Sequence, residues 1–132
     1  MNIGQLALQA GVPVDTVRYY ERQRLLPAAR RSPGGYRIFD QDDVTRLQFI
    51  RRAKTLGFTL EEIADLLAIS DRRGGDMAQV KAAASDKLRD LGQRIEELQR
   101  MQKALQQLVR ACPGHGALDQ CPIIGALTEA GQ

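Results

Sequence analysis

The sequence predicts a mainly α fold: a winged helix-turn-helix domain, then a long coiled-coil dimerisation helix, then a short cysteine-bracketed loop with a terminal helix. Three observations predict it. The run from Gly11 to Pro27 reads as a glycine turn followed by a helix crowded with cationic and aromatic side chains, and a tight Pro33-Gly34-Gly35 turn follows between cationic residues. Apolar side chains then recur in steps of four and three across an uninterrupted polar stretch. Two cysteines close the chain around a loop of eight residues.

The first helix is expected over Gln5–Gln9, ending at Gly11, with Leu6, Ala7 and Ala10 inward. The second runs from Val14 to Arg22, with Pro13 at its start, where a missing N–H costs nothing. The wing occupies residues 28–39. Asp40 is a good N-cap for the third helix, with Phe39 and Val44 at staple spacing around it. The device recurs at Phe58-Thr59-Leu60-Glu61-Glu62-Ile63, where Thr59 and Glu62 form a capping box, and Gly57 ends the intervening helix. Phe39 and Phe58 are core residues in this reading. Residues 1–70 are thus the DNA-binding domain, 71–76 a glycine-broken hinge, 77–111 the dimerisation helix, and 112–132 the loop and short C-terminal helix, its last five residues frayed.

The long helix carries Ala84, Leu88, Leu91, Ile95, Leu98, Leu105 and Val109 in heptad register, with Gln102 at the one polar position. At standard rise such a helix spans about 50 Å. The 132-residue chain leaves too little to cover that seam, so it pairs with a second copy, and an antiparallel pair holds two heads apart on one duplex face.

Charge points to the same partner. Residues 1–54 carry ten Lys/Arg against five Asp/Glu, a net of +5, and residues 55–132 carry nine against eleven, a net of −2. The basic half is the arginine-rich half, and Arg suits planar phosphate and guanine contacts. On the second helix Thr16, Tyr19 and Tyr20 share overlapping faces, and Arg18 is the best base-edge or phosphate contact. One of the adjacent tyrosines packs inward, with Tyr19 the better candidate for the core and Tyr20 for a phosphate. Arg31, Tyr36 and Arg37 surround the wing tip and complete the candidate DNA contacts. No apolar run approaches the roughly 20 residues of a membrane span, and the N-terminus lacks a charged region followed by an apolar one. A cytoplasmic location is expected, where two cysteines serve as thiols or metal ligands rather than a structural disulfide.

Two thiols across a flexible loop can converge on one soft ion. Cys112 ends the long helix, and Cys121 stands at the N-cap of the next, where the dipole favours the thiolate. With no third cysteine, the pair suits a two-coordinate monovalent ion, Cu(I), Ag(I) or Au(I). His115 is a candidate third ligand for a divalent one.

The chain resembles the MerR family of bacterial transcription regulators over its whole length. The matching stretches are Asn2-Ile-Gly-Gln-Leu-Ala7, Val17-Arg-Tyr-Tyr-Glu21, Leu25-Leu-Pro27, Gly35-Tyr-Arg37, Arg46-Leu-Gln-Phe-Ile50, Leu56-Gly-Phe-Thr-Leu-Glu-Glu-Ile63 and Ile95-Glu-Glu-Leu98. Cys112-Pro-Gly and Cys121-Pro-Ile-Ile124 further resemble the metal-responsive branch, particularly its copper-efflux regulators. The resemblance implies a homodimer on promoter DNA that activates metal-efflux and detoxification genes when its effector binds, untwisting an over-long promoter so that RNA polymerase can start. By position it assigns DNA contacts to Arg18, Tyr20, Tyr36 and Arg37 and metal thiolates to Cys112 and Cys121.

The family's divalent sensors usually carry a third cysteine where Met77 stands, which favours a monovalent effector, whose net negative site Lys81 of the partner subunit would compensate. The Cys–Cys loop is one residue longer than the copper-type loop and holds His115, which resembles the zinc-type loop. Cu(I), Ag(I) or Au(I) is therefore the expected effector, with Zn(II), Cd(II), Pb(II) or Hg(II) the alternative. A thiol-redox-sensing regulator is a further alternative. A thiol enzyme is not expected, because there is no Cys-x-x-Cys pair and no base beside either cysteine. About 20 residues after the long helix cannot build a drug-binding domain.

Overall fold

In the computed structural model, which describes residues 1–27, 29–72 and 74–129, helices dominate. They are α1 (Ile3–Ala10), α2 (Val14–Arg22), α3 (Gln41–Thr55), α4 (Leu60–Asp71), α5 (Met77–Ala111) and α6 (Pro122–Glu129). Two short strands, β1 (Arg30–Arg31) and β2 (Arg37–Ile38), lie between α2 and α3. The chain falls into two compact units, Met1–Lys87 and Leu88–Gln132.

Local chemistry sets the helix boundaries of the first unit. α1 starts two residues before the expected Gln5, because Asn2 and Gln5 form a capping box: Gln5 N donates to Asn2 Oδ1 at 2.8 Å and Asn2 N to Gln5 Oε1 at 2.9 Å. Gly11, in the left-handed region at φ 73°, closes the helix. The expected Asp40 cap and Thr59–Glu62 box both form, and Asp43 makes the first a box as well. Asp43 N donates to Asp40 Oδ1 at 3.2 Å ahead of α3, and Glu62 N to Thr59 Oγ1 at 3.2 Å ahead of α4. Phe39 and Val44 are both buried astride the Asp40 cap, and Phe58 packs partly buried against the core.

Leu6, Val17, Leu47, Ile50 and Ile63, from all four short helices, are fully buried in one core. Arg46 adds a polar tie. Its Nε donates to the Leu25 carbonyl at 2.7 Å and its Nη1 to both oxygens of Asp71 at 3.0 Å, linking the turn after α2 to the end of α4. The wing pairs antiparallel, Arg30 with Ile38 and Arg31 with Arg37. Ser32 N donates to Tyr36 O at 2.8 Å across its tip. Ala28, in the expected wing, and Arg73, in the expected hinge, lie outside the described residues.

Lys87, on α5, is a buried charged residue whose Nζ lies 2.7 Å from Glu62 Oε1. The same oxygen accepts from Thr59 N at 2.8 Å, and the ammonium stands 5.8 Å from the Phe58 ring centroid. The capping carboxylate of α4 thus also anchors the first turns of α5.

In the second unit Leu88, Ile95, Leu98, Leu105 and Val109 are each more than half exposed along α5. A 3-10 turn at Leu118–Gln120 precedes α6. Thr128, expected to fray, is helical and its hydroxyl donates to Ile124 O at 2.9 Å. The rest of that expectation, residues 130–132, lies outside the described residues.

The Lys87 ammonium, with help from the Thr59 N–H, holds the Glu62 carboxyl down from 4.5 to about 2. A depressed carboxyl pKa stabilises the fold above the unfolded value and loses that contribution as pH falls through the folded one. Glu62→Gln keeps the cap but removes the charge, so its urea midpoint should lie below wild type at neutral pH. The gap should close as pH falls from 4.5 towards 2. A pH-independent gap would show that the charge contributes nothing.

Candidate nucleic-acid interface and metal loop

The 3.6-residue period decides which side of α2 faces water. Val17 and Tyr20, three apart, point into the core, so Thr16, Arg18 and Tyr19 are left on the outer side, Thr16 half-buried. This reverses the expected roles of the two tyrosines. Tyr20 is 5% exposed and its ring is a core element, whereas Tyr19 is 39% exposed. The Arg22 guanidinium carbon lies 6.0 Å from the Tyr19 ring centroid and holds that ring at the surface. Arg18 keeps about half its side chain in solvent and makes only a long 3.7 Å pair with Asp15.

The wing presents the remaining candidates. Tyr36 is among the most exposed aromatics of the chain. Arg31 Nη1 donates to the Gly35 carbonyl at 2.9 Å, which stiffens the tip. Arg37 Nη1 donates to Glu21 Oε1 at 2.9 Å, so the wing's charged fork is tied to the second helix. Glu21 was not anticipated from sequence; it follows Tyr20 on the half-buried side of α2, which was the available signal. Arg18, Tyr19, Arg31, Tyr36 and Arg37 all remain exposed on these two elements.

In the second unit the Cys112 and Cys121 sulfurs are 3.9 Å apart. Gly114 and Gly116 adopt φ 81° and 109° on either side of His115, which lets the loop turn back on itself. The loop surrounds a hollow of about 240 Å³ walled by both thiols and His115. His115 Nδ1 lies 3.1 Å from the Pro113 carbonyl, which orients the ring within the loop. Among the described residues no third His, Cys, Asp or Glu converges on the two sulfurs. The Ile124 N–H, then that of Ile123, and the neighbouring Cys112 thiol favour the thiolate of Cys121 and lower its pKa. Met77 and Lys81 are exposed on the opening turns of α5, in the other unit.

A helix-turn-helix whose second helix and wing share a cationic surface defines a DNA-binding regulator rather than an enzyme. The profile described as "MerR HTH family regulatory protein" matches residues 1–69, and that described as "MerR, DNA binding" matches residues 44–108. The mercuric resistance operon regulatory protein of Bacillus cereus is 41% identical over 127 residues, covering 96% of each chain. The transcription regulator PbrR691 from Ralstonia metallidurans CH34, solved in complex with lead(II), aligns with a TM-score of 0.87 at 35% identity, over 96% of this chain and 98% of that one. The dual function transcriptional regulator MerR from Bacillus megaterium MB1, in complex with mercury(II), gives 0.76 at 38% identity, over 98% and 100%. The chain belongs to the MerR family of transcription regulators, in its metal-responsive branch. Its partner is DNA. No helix among the described residues is long and apolar enough to cross a membrane.

Removing a phosphate contact weakens binding to all sequences alike and lowers the salt slope by about 0.9 per contact. Arg37→Ala should do both in a fluorescence-anisotropy titration of duplex DNA. Unchanged affinity and slope would remove Arg37 from the contacts.

Proposed function

We propose that the chain is a homodimeric promoter-binding regulator that activates metal-detoxification genes in the cytoplasm when a soft divalent ion, of the class Zn(II), Cd(II), Pb(II) or Hg(II), binds Cys112 and Cys121. The observation that carries the divalent reading is the likeness to regulators solved with lead(II) and mercury(II), and the 3.9 Å separation of the two free thiols is compatible with it. With metal–sulfur bonds of about 2.3 Å, that separation corresponds to an S–metal–S angle of about 115°, which suits a three- or four-coordinate ion. A collinear two-coordinate ion at the same bond length needs sulfurs about 4.6 Å apart. Two thiolates neutralise a divalent charge, and His115, which walls the same hollow without converging on the sulfurs, would be the third ligand were the loop to close on the ion. The lead(II) and mercury(II) complexes of similar proteins support the same class.

Cu(I), Ag(I) or Au(I) remains the second reading, for one reason. Met77 has a neutral thioether where the family's divalent sensors usually place a thiolate, so the chain lacks that third charge. On that reading Lys81 of the partner subunit balances the net negative site.

The output follows from the architecture. Pairing the exposed α5 seam antiparallel with a second copy buries it and sets two DNA-binding heads on one duplex. Arg18, Tyr19, Arg31, Tyr36 and Arg37 then grip the backbone, with Thr16 at the groove edge and Tyr20 supporting the helix from the core. Metal loading orders the loop at the end of the dimer helix, and the two heads untwist the promoter for RNA polymerase.

In a promoter-specific in vitro transcription assay, a divalent ion of this class should activate. Cys112→Ser and Cys121→Ser should each abolish activation with operator affinity retained, and His115→Ala should reduce it. Activation by anaerobic Cu(I) with silence toward all four divalent ions, unaffected by His115→Ala, would install the second reading. Activation by mild oxidation, with loss of two titratable thiols and no metal, would install a redox switch instead. Leu91→Asp combined with Leu98→Asp buries unpaired charge in the seam and should give monomers in sedimentation velocity. A wild-type chain that sediments as a monomer at micromolar concentration would remove the dimer.

A further inference from the structure

Between the end of α2 and the wing lies a cleft of about 590 Å³ whose walls include Arg24, Arg31, Arg37 and Glu21. Three guanidiniums face one carboxylate, so the cleft is strongly cationic. Two of the three already have protein acceptors: Arg31 donates to the Gly35 carbonyl, and Arg37 to Glu21. Arg24 has no ion pair or side-chain hydrogen bond among the described residues.

The backbone at Arg24 is also unusual. It has φ 59°, the one non-glycine residue in the left-handed region among the described residues. An L side chain adopts that conformation only at a cost. Neighbouring structure enforces it: Arg24 N donates to Glu21 O at 3.0 Å and Leu25 N to Tyr20 O at 2.9 Å, while Leu25 and Leu26 are buried directly after it. The reversal that drops Leu25 and Leu26 into the core also places Arg24 on the cleft wall.

We propose that this cleft receives one backbone phosphate of the bound duplex and that Arg24 supplies its uncommitted guanidinium fork. The proposal rests on the DNA-binding reading of α2 and the wing and adds a contact to it. A guanidinium fork matches phosphate geometry. The flanking elements, a recognition helix and a wing, are those that lie along a groove edge and its backbone. Arg31 and Arg37 line the same cleft as further cations, and Glu21 holds Arg37 in place.

The test is salt-dependent binding of a mixed-sequence 30-base-pair duplex by the full-length dimer, followed by fluorescence anisotropy. Arg24→Gln should shrink the slope of log affinity against log salt by about 0.9 for each engaged head. Its affinity deficit should therefore narrow by about threefold per head between 50 and 200 mM salt. Arg24→Lys should keep the slope. Arg24→Gly relieves the strained backbone, so it should melt no lower than wild type and yet bind like Arg24→Gln; that separates lost charge from lost folding. A normal slope for both Arg24→Gln and Arg24→Gly, with a reduced slope for Arg37→Gln, overturns the Arg24 contact and leaves the DNA-binding face standing. Normal slopes for all three overturn that face, and the phosphate cleft with it.

Discussion

Helices of 8, 9, 15 and 12 residues are marginal in water on their own, and the first unit exists because they share one buried surface. Burial of Leu6, Val17, Leu47, Ile50 and Ile63 removes each helix's apolar stripe from solvent at once. The DNA-facing surface is what remains after that burial. Because Val17 and Tyr20 must point inward, Arg18 and Tyr19 have no alternative but to point outward. The wing is held to the same body by hydrogen bonds between Phe39 and Met1 and by the Glu21–Arg37 pair.

Polar groups then fix what the apolar core leaves free. Arg46 joins the turn after α2 to the end of α4, and Glu62 serves both as the cap of α4 and as the acceptor for Lys87. An ion pair of this kind is weak as a source of stability, and its part here is to join two helices. Within the first unit the pair ties the start of α5 to the N-terminal end of α4.

Much of this was legible in the sequence where the cause is local. The Asp40 cap, the Thr59 box, the Gly11 stop, the wing turn and the long helix follow from residues within a few positions of one another. The Asn2–Gln5 box has the same signature and was missed because Gly4 reads as a breaker, whereas an Asn cap lets the helix run through it. The tyrosine assignment failed for a different reason. Adjacent aromatics on a short helix differ by 100° in direction, and which one packs depends on where α1 and α3 lie. Lys87 was invisible on the same ground, since a lysine in a polar register reads as solvated until Glu62 and Phe58 arrive from elsewhere. In the loop the two sulfurs and His115 were legible as residue types. The 3.9 Å spacing of the sulfurs was not, because it depends on how the loop glycines fold.

The bare apolar seam of α5 has a consequence for the cell rather than for the promoter. A chain that exposes Leu88, Ile95, Leu98, Leu105 and Val109 until it meets its mate is governed by mass action: its melting temperature rises with its own abundance. Newly made single chains are the form that chaperones and proteases recognise. For a seam closed by a second copy, stability is thus a property of the protein's concentration as well as of its sequence.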